Sequence, residues 1–344
     1  MKVPGSKLRS TVMFLSVAAC VAAAGARPAI AQQTPIHLRV SLGDVDITKI
    51  TGVVALEEGI YKKNGLEVEQ YITPGAAAIS KGNGVVVPPQ YVRAIDADIA
   101  IGGGTPLIVG RVTSAKSRDR IILGSLDHVV HWYIIAQKGI SRVEDLKGKR
   151  LGYTGVGAMT HFIALALAGR MGWDANQDLS LIGDAGELDT LQNGSVDAFV
   201  APVVSLAMAK AAGISPIADL RSWNLPIAGS GLNSTASWVK KNPEATRRFV
   251  KSIVEAIALM KKDKSTAYRA MAKWFNITDS EIQGIVYQVA SEMPRKPYPA
   301  VDGIKKTMEL YNSHEMRQHK AEDFYDDSFV RELDQSGFID SLYK

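Results

Sequence analysis

The segment LGYTGVGAMTHFIALALAGRMGW (residues 151–173) combines a short apolar strand, a glycine-rich turn and an apolar helical stretch. A turn of this kind leaves the first N–H groups of the helix unpaired, and these can donate hydrogen bonds to a phosphate, carboxylate or sulfonate. The hydroxyl groups of Thr154 and Thr160 would add two further donors. The pattern predicts a binding site for a small anion or polar group, formed by Thr154, Gly157, Ala158, Met159 and Thr160.

Three other interpretations of this turn compete with a binding site. The spacing Gly155-x-Gly157-x-x-Thr160 is close to a dinucleotide-binding fingerprint, but its third position is threonine, and Asp184 lies 29 residues beyond Gly155, farther than such a motif favours. A phosphate-binding P-loop needs a Gly-Lys-Ser/Thr sequence that is absent here. A tight turn with only a structural role remains an open alternative.

The elements around the turn occur twice along the chain. Residues 39–72 and 150–182 each have the pattern of a strand, a loop, a helix closed by glycine and a second strand. Each is followed by a further strand that starts with aspartate, at Asp98 and at Asp197. Two such units predict an α/β protein with two lobes of related design.

Loops that follow parallel strands lie at the edge of the sheet where ligands usually bind. Four loops meet this condition, at residues 43–49, 102–106, 154–160 and 201–205. The three glycines at 102–104 would let the backbone approach a ligand closely, with a flexible turn as the alternative. Besides the glycine turn, these loops give the predicted ligand-binding residues Asp44, Asp46, Ile47, Gly103, Gly104, Thr105 and Pro202.

The start of the chain is typical of an export signal. Basic residues precede the apolar run TVMFLSVAACVAAAG, and a small-x-small site follows at residues 29–31, so the mature chain is expected to begin at Gln32. The chain has 40 basic and 35 acidic residues, and removal of residues 1–31 leaves 36 basic residues, a nearly neutral protein without the charge that nucleic acid requires. The single cysteine, Cys20, would also be removed, unless VAAC (17–20) is a lipoprotein box that anchors the chain through a lipid on Cys20.

The last third of the chain is predicted to be helical. NPEATRRFVKSIVEAIALMKK (242–262) has Asn at the cap position, Pro at the first helical position and apolar residues at helical spacing. The predicted division is therefore 32–128 for the first part of lobe 1, 129–231 for lobe 2 as an insertion, and 232–344 for helices that return to lobe 1. Two crossing segments would then form a hinge above a cleft.

Residues for covalent chemistry are sparse in the sequence. Asp127, His128 and His131 could suggest a metal site, but residues three apart in an extended segment face opposite sides. His128 alone could reach the cleft from the hinge and is retained as a ligand-binding candidate, with a structural histidine as the alternative. No GxSxG elbow occurs. No catalytic residue, metal or cofactor is predicted.

Four motifs in order resemble one family: GVVALEEGIYKKNGLEVE (52–69), SRVEDLKGKRLGYTGVGAMTHF (141–162), LQNGSVDAFVAPVVS (191–205) and VKKNPEATRRFVKSIVEA (239–256). They are similar to periplasmic solute-binding proteins of the nitrate/sulfonate/taurine and thiamine-precursor type (NMT1/THI5-like). The resemblance implies a type II periplasmic-binding-protein fold with the ligand between the lobes, its anionic group at residues 154–160, and a ligand loop near Gly75. Ala158-Met159 replaces the Ser or Thr that sulfonate binders tend to show, and the cysteine-rich motif of the related pyrimidine synthases is absent.

These observations together predict a binding protein and not an enzyme. The expected function is to capture a small organic solute, such as a carboxylate or sulfonate, by closure of the two lobes. As a periplasmic monomer, the chain would deliver this solute to the membrane permease of an ABC importer. The alternative is an exported or mis-assigned enzyme of the thiamine-pyrimidine synthase type that acts on its bound molecule. A structural or scaffold protein has less support, because the sequence is not repetitive.

Overall fold

The computed structural model of the chain describes residues 1–2, 5, 34–44 and 46–344, without the side chain of Ile47. Residues Pro35–Lys344 form one unit and Met1–Thr34 form another. The predicted cleavage site, its apolar run and Cys20 lie outside the described residues. Among the helices that are described, none has the length and apolar character needed to cross a membrane.

Ten strands build the unit Pro35–Lys344. They are β1 (Ile36–Leu42), β2 (Leu66–Ile72), β3 (Ile99–Ile101), β4 (Arg120–Ser125), β5 (Tyr133–Ala136), β6 (Arg150–Gly152), β7 (Ser180–Ile182), β8 (Ala198–Ala201), β9 (Pro216–Asp219) and β10 (Gly231–Thr235). They form two sheets of five, in the orders β2-β1-β3-β10-β4 for lobe 1 and β7-β6-β8-β5-β9 for lobe 2. In both sheets the fourth strand is antiparallel to its neighbours, whereas the first three strands are parallel.

The helices cover both sheets. They are α1 (Ile50–Glu57), α2 (Ile60–Lys63), α3 (Pro74–Gly82), α4 (Gly104–Thr113), α5 (Met159–Met171), α6 (Leu188–Gln192), α7 (Val203–Ala211), α8 (Ala236–Lys241), α9 (Pro243–Lys262), α10 (Lys264–Phe275), α11 (Ser280–Ser291), α12 (Val301–Leu310), α13 (Ser328–Gln335) and α14 (Phe338–Ser341). A 3-10 turn, Ile47–Lys49, leads directly into α1.

The repeated pattern predicted for residues 39–72 and 150–182 is present as two equivalent strand–helix–strand units. β1 pairs with β2 and β3 in the same way that β6 pairs with β7 and β8. Gly65 and Gly172 have φ values of 72° and 68°, the left-handed conformation that ends a helix at little cost for glycine. The parallel strands of both lobes therefore end at the same edge, where their loops can meet.

The two segments that connect the sheets run side by side. Residues 126–132 lead from β4 into β5, and residues 220–230 lead from β9 back to β10. The segments are joined by antiparallel backbone hydrogen bonds, including Val130 N–H to Leu225 O (2.9 Å) and Ile227 N–H to His128 O (3.0 Å). This two-stranded connection is the arrangement expected of a hinge.

The C-terminal helices pack mainly on lobe 1. α9 and α10 lie against α1, and α13 lies against α9 and β4. The apolar side of α9, with Phe249, Val250, Ile253 and Ile257, is fully buried there. Two helices also reach lobe 2, since α11 contacts α7 and α12 contacts α5. The exact lobe boundaries at residues 128 and 231 stay predictions.

Candidate functional site

A cavity of about 330 Å³ lies between the two lobes, at the carboxyl ends of the parallel strands. Its size is within the range of small-molecule sites. The lobe 1 side is formed by the loops after β1 and β3 and by the end of α3, and the lobe 2 side by the starts of α5 and α7. The lining residues are Gly43, Asp44, Asp46, Lys49, Ile79, Ser80, Asn83, Val85, Gly103, Gly104, Pro106, Asp127, Trp132, Thr154, Ala158, Met159, Thr160, Gly186, Pro202, Val204, Ser205, Gly229 and Ser230.

The structure brings most of the predicted binding residues together around this cavity. Nine of the predicted residues line it: Asp44, Asp46, Gly103, Gly104, Thr154, Ala158, Met159, Thr160 and Pro202. They come from all four loops that the sequence placed around one crevice. Their role in binding stays a prediction.

The other five predicted residues are placed elsewhere. Thr105 is fully buried, and its hydroxyl lies 3.3 Å from Ala228 O and 3.4 Å from the hydroxyl of Thr307. The Nε2 of His128 lies 2.9 Å from Tyr298 O. Gly75 is exposed in the first turn of α3. Ile47 belongs to the 3-10 turn, and its side chain is outside the description.

Gly157, the fifth of these residues, lies on the side of the turn that packs against α4 of lobe 1. Its φ of 81° requires the left-handed region, and a Cβ at this position would lie 3.0 Å from Val109 of α4. The glycine therefore allows the lobe 2 turn to touch lobe 1 closely.

Lys49 is the centre of a charged cluster on lobe 1. Its side chain is almost completely buried, and its Nζ lies 2.7 Å from Asp44 Oδ1, 2.8 Å from Ser230 Oγ and 4.0 Å from Asp46 Oδ2. Burial by itself lowers the pKa of Lys49, but the adjacent carboxylates outweigh it and leave the pKa raised. Burial also raises the pKa of Asp46, and Lys49 offsets this only in part.

Asp127 adds a third carboxylate from the first crossing segment. It is 7% exposed and accepts a hydrogen bond from the Ser230 amide. The Nε2 of His131 lies 3.7 Å from Asp127 Oδ2, beyond normal hydrogen-bond length. Among the described residues, no lysine or arginine nitrogen lies within 4.0 Å of this carboxylate. We call Asp44, Asp46, Lys49 and Asp127 the acidic wall.

The lobe 2 side of the cavity is built from backbone and hydroxyl groups. The amides of Gly157 and Ala158 donate within the protein, to His161 Nδ1 (3.3 Å) and Gly155 O (3.0 Å). The first-turn amides of Met159 and Thr160 have no carbonyl partner four residues earlier in the helix, and no side chain caps α5 at Ala158. The donors that face a ligand are therefore expected to be Met159 and Thr160, two of the residues that the sequence predicted for this turn.

The two threonines of the turn supply one further donor. Thr154 Oγ1 lies 2.8 Å from Thr160 Oγ1, which also accepts from the Thr154 amide at 2.9 Å. One hydroxyl proton joins the two oxygens, whichever of them donates it. The other proton is left for a ligand in either arrangement. Among the described residues, the lobe 2 lining carries no charged side chain.

Asn83 joins the two lobes beside the cavity. Its Oδ1 accepts hydrogen bonds from Ser205 Oγ at 2.7 Å and from the Leu188 amide at 3.2 Å, both in lobe 2. Its Nδ2 donates to Ile79 O at 3.0 Å, so the side chain is held in place by its own helix turn. Such a contact can form only when the lobes are close together.

His161 forms a second bridge between the lobes. Its Nδ1 lies 2.9 Å from the hydroxyl of Tyr311, which follows α12, and its ring stacks on Tyr153 at 4.6 Å. Burial lowers the pKa of His161 and raises that of Tyr311. Since Nδ1 also accepts from the Gly157 amide, the neutral imidazole is the form that fits both contacts.

Sequence reasoning missed several cavity residues. Lys49 follows Asp44 and Asp46 in GDVDITK, but linear spacing does not reveal that its ammonium turns back between them. Asp127 was considered for a metal or acid/base site and not for ligand binding. Trp132 was not among the predicted binding residues, but it lines the cavity. Its Nε1 is buried without a hydrogen-bond partner in the described part of the chain.

Comparison with known proteins identifies the family. The family model described as NMT1/THI5 like matches residues 47–267, more than half of the chain. A search of curated proteins finds no match.

Solved structures with similar folds include two binding proteins and an enzyme. The periplasmic aliphatic sulphonate binding protein SsuA from Escherichia coli has a TM-score of 0.58 and 18% identity, with 81% of this chain and 87% of that chain covered. The periplasmic nitrate-binding protein NrtA from Synechocystis PCC 6803 has a TM-score of 0.65 and 13% identity, with 88% of this chain and 89% of that chain covered. The desulfurization enzyme DSZB has a TM-score of 0.57 and 15% identity, with 88% of this chain and 99% of that chain covered. The chain thus has the two-lobed α/β fold of periplasmic binding proteins and belongs to the NMT1/THI5-like family.

Proposed function

We propose that the chain is the substrate-binding component of an ABC importer and captures a small organic solute between its lobes. The observation that carries the proposal is a cavity enclosed by two lobes whose sheets are linked by a paired crossing connection. A ligand that contacts both walls stabilises the closed arrangement, and a permease can then recognise that arrangement. We place the protein in the periplasm, as a monomer, with the export signal at residues 1–31. The binding proteins of similar fold support this location.

We further propose that the solute carries an acidic group, such as a carboxylate or sulfonate, held at the start of α5. The uncapped amides of Met159 and Thr160 and the spare threonine proton are suitable donors. Met159, Val204 and Trp132 give the cavity an apolar surface that suits an organic body. Two proteins of similar fold are described as binding sulphonate and nitrate, which supports an acidic group.

An enzyme remains the second candidate, because a desulfurization enzyme has a similar fold. Fold alone does not separate the two functions. The two functions differ in what happens to the bound molecule. A binding protein releases its ligand chemically unchanged, whereas an enzyme converts it to a product. Mass spectrometry of the ligand recovered after incubation with the protein therefore distinguishes them.

The first test is a thermal-shift screen of the mature chain, from Gln32, with carboxylates, aromatic acids, sulfonates, nitrate and pyrimidines. A ligand at a hundred times its Kd adds about 2.7 kcal/mol to the free energy of unfolding, which raises Tm by several degrees. Thr160→Val should weaken the binding of the acid that responds by about tenfold, because it removes a hydroxyl donor and keeps the shape of the side chain.

The matched control is Thr278→Val, at an exposed threonine far along the chain in the segment before α11. It should leave affinity unchanged. A screen without any shift would contradict the binding proposal. Equal affinities of Thr160→Val and the unaltered protein would contradict the placement of the acidic group at the start of α5.

A further inference from the structure

The lobe 2 side of the cavity depends on its backbone conformation for binding. Unlike the acidic wall of lobe 1, it has no charged side chain among its described lining residues. Backbone amides hold an anion well only when they are already directed at a common position before the anion arrives. The contacts that fix the conformation of residues 154–160 therefore contribute to the binding site, even where they lie outside the cavity.

A chain of two hydrogen bonds connects this turn to the C-terminal part of the protein. The Gly157 amide nitrogen lies 3.3 Å from Nδ1 of His161, and the hydroxyl of Tyr311 lies 2.9 Å from the same Nδ1. Since a backbone amide can only donate, Nδ1 accepts and carries no proton. The Tyr311 hydroxyl then donates to Nδ1 as well. Burial raises the pKa of Tyr311, so this hydroxyl keeps its proton.

The surroundings of His161 favour the neutral imidazole. The ring of Tyr153 stacks on it with 4.6 Å between centroids, and the ring of Tyr311 lies at 5.6 Å with a tilt of 58°. These tyrosines are the titratable groups that face the imidazole. Burial lowers the pKa of His161. The charged side chains of α4, α5 and α12, which pack around it, contact other groups or are exposed: Arg111, Arg170, Asp302, Lys305, Lys306 and Glu309.

Tyr311 is held on the lobe 1 side of the molecule. It follows α12, and the hydroxyl of Thr307 in α12 lies 3.4 Å from that of Thr105 in α4 of lobe 1. A Cβ at Gly303 would lie 1.9 Å from the carbonyl carbon of Ile227, so the start of α12 also packs directly on the second crossing segment. We therefore expect α12 to move with lobe 1. Its tyrosine can then reach the imidazole of lobe 2 only when the lobes are close together.

We propose that Tyr311 is a positioning residue of the ligand site: through His161 it fixes the Gly157 amide, and with it the turn at the start of α5. The inference rests on the proposed function and adds a residue that does not line the cavity. The turn takes its binding conformation in contact with lobe 1, so closure of the lobes also prepares the site for the acidic group. The ligand then binds the closed arrangement better than the open one, which is the condition for closure to follow binding.

The first test measures this connection without any ligand. In the mature protein with isotope-labelled glycine and histidine, NMR gives the rate at which the Gly157 amide exchanges with water and the titration of His161. Tyr311→Phe keeps the ring and removes the hydroxyl. We expect the Gly157 amide to exchange about fivefold faster, the effect of losing one neutral hydrogen bond. The pKa of His161 should rise, because the neutral Nδ1 loses a donor.

Tyr287→Phe is the matched control. The Tyr287 hydroxyl also donates over 2.9 Å, to Met260 O, but at a site in the C-terminal helices away from the turn. This variant should change neither the exchange of the Gly157 amide nor the pKa of His161.

A double-mutant cycle separates action through His161 from simple packing. His161→Phe keeps an aromatic ring and removes the acceptor that joins the Tyr311 hydroxyl to the Gly157 amide. In this background Tyr311→Phe should have no further effect on the exchange of the Gly157 amide. A tyrosine that acted only by packing against the turn would keep its effect.

The second test uses propanesulfonate and benzoate as probes. Isothermal titration calorimetry should give a Kd about fivefold higher for Tyr311→Phe than for the unaltered protein, since the turn is no longer held in place. Tyr287→Phe should bind both acids as the unaltered protein does.

The outcomes separate this inference from the function on which it rests. The inference is overturned if Tyr311→Phe leaves the exchange of the Gly157 amide unchanged, or if its effect persists in the His161→Phe background. If an acid binds equally well to Tyr311→Phe and to the unaltered protein, the role of Tyr311 in binding is overturned and the binding function stands. If neither acid binds to the unaltered protein, the proposed acidic ligand is contradicted, and the exchange measurement alone decides the inference.

Discussion

The two lobes have the same strand order but present different chemistry to the cavity. After β1, the loop of lobe 1 carries Asp44, Asp46 and Lys49, whose charges are arranged by side-chain contacts. After β6, the equivalent loop of lobe 2 carries glycines and threonines and presents mainly the amides of α5. One arrangement of strands and helices can therefore present either charged side chains or backbone donors, depending on the first loop of each unit.

Lys49→Met should have the largest effect. It leaves the buried carboxylate of Asp46 and the partly exposed carboxylate of Asp44 without their ammonium. This should lower the free energy of unfolding by about 3 kcal/mol near neutral pH, the lower end for a buried pair because Asp44 is partly solvated. Urea unfolding monitored by circular dichroism measures the change. On the lobe 2 side, Thr160→Val should cost only about 1–2 kcal/mol, because it removes two neutral hydrogen bonds, with the amide and the hydroxyl of Thr154.

Lys81→Met, at an exposed lysine of α3, provides the control and should stay within about 0.5 kcal/mol of the unaltered protein. Equal losses in the free energy of unfolding for Lys49→Met and Thr160→Val would contradict the larger contribution of the charged lobe 1 side to stability.

Gly104→Ala should have the next largest effect. A Cβ at Gly104 would lie 1.9 Å from Gly229 O and 2.0 Å from Ala228 O, so α4 would have to move away from the second crossing segment. We expect a loss of about 1–3 kcal/mol, as for other overpacked sites. Gly155→Ala in the lobe 2 turn is the matched substitution, because a Cβ there has no atom within 4 Å. Thermal unfolding of both variants tests whether the loss comes from the close contact at Gly104.

The pH dependence of the His161 bridge should be the smallest effect. Because burial lowers its pKa in the folded protein, the unfolded chain takes up a proton first as the pH falls. The stabilisation from neutral His161 is thus complete above about pH 6.5 and decreases below it. Glu187, whose pKa is raised to about 7 by burial, acts in the opposite sense, since its contribution decreases as the pH rises towards that value.

The measurement is therefore a comparison of Tm between pH 5 and 7.5 for the unaltered protein and for His161→Asn, which keeps an acceptor near the position of Nδ1. The variant should lose less Tm on acidification. His314→Asn, at an exposed histidine, should follow the unaltered protein. If Tm depends on pH in the same way in all three proteins, the His161 bridge does not contribute to the pH dependence of stability.

The sequence predicted the frame of the molecule better than its cavity. Alternating glycine, strand and helix signals are local, so the two α/β units and the ligand edge could be read from residues 39–72 and 150–182. The charged contacts are not local: Lys49 meets Ser230 across 181 positions, and Asn83 meets Ser205 across 122. His128 was a candidate because it lies in the crossing segment, but its Nε2 contacts Tyr298 O, which no spacing could reveal.

The paired crossing segments have a consequence for how the free energy of binding is used. Because Val130 and Leu225, and His128 and Ile227, hydrogen-bond to each other and not to either sheet, these bonds can persist while the lobes rotate. A ligand then does not have to replace broken backbone bonds when the cavity closes. Moving a population from 1% to 99% closed takes about 5.5 kcal/mol of preference for the closed form. With an intact connection, the contacts of the ligand with the two lobes can supply that preference directly. A small solute with few contacts can then be sufficient to close the lobes.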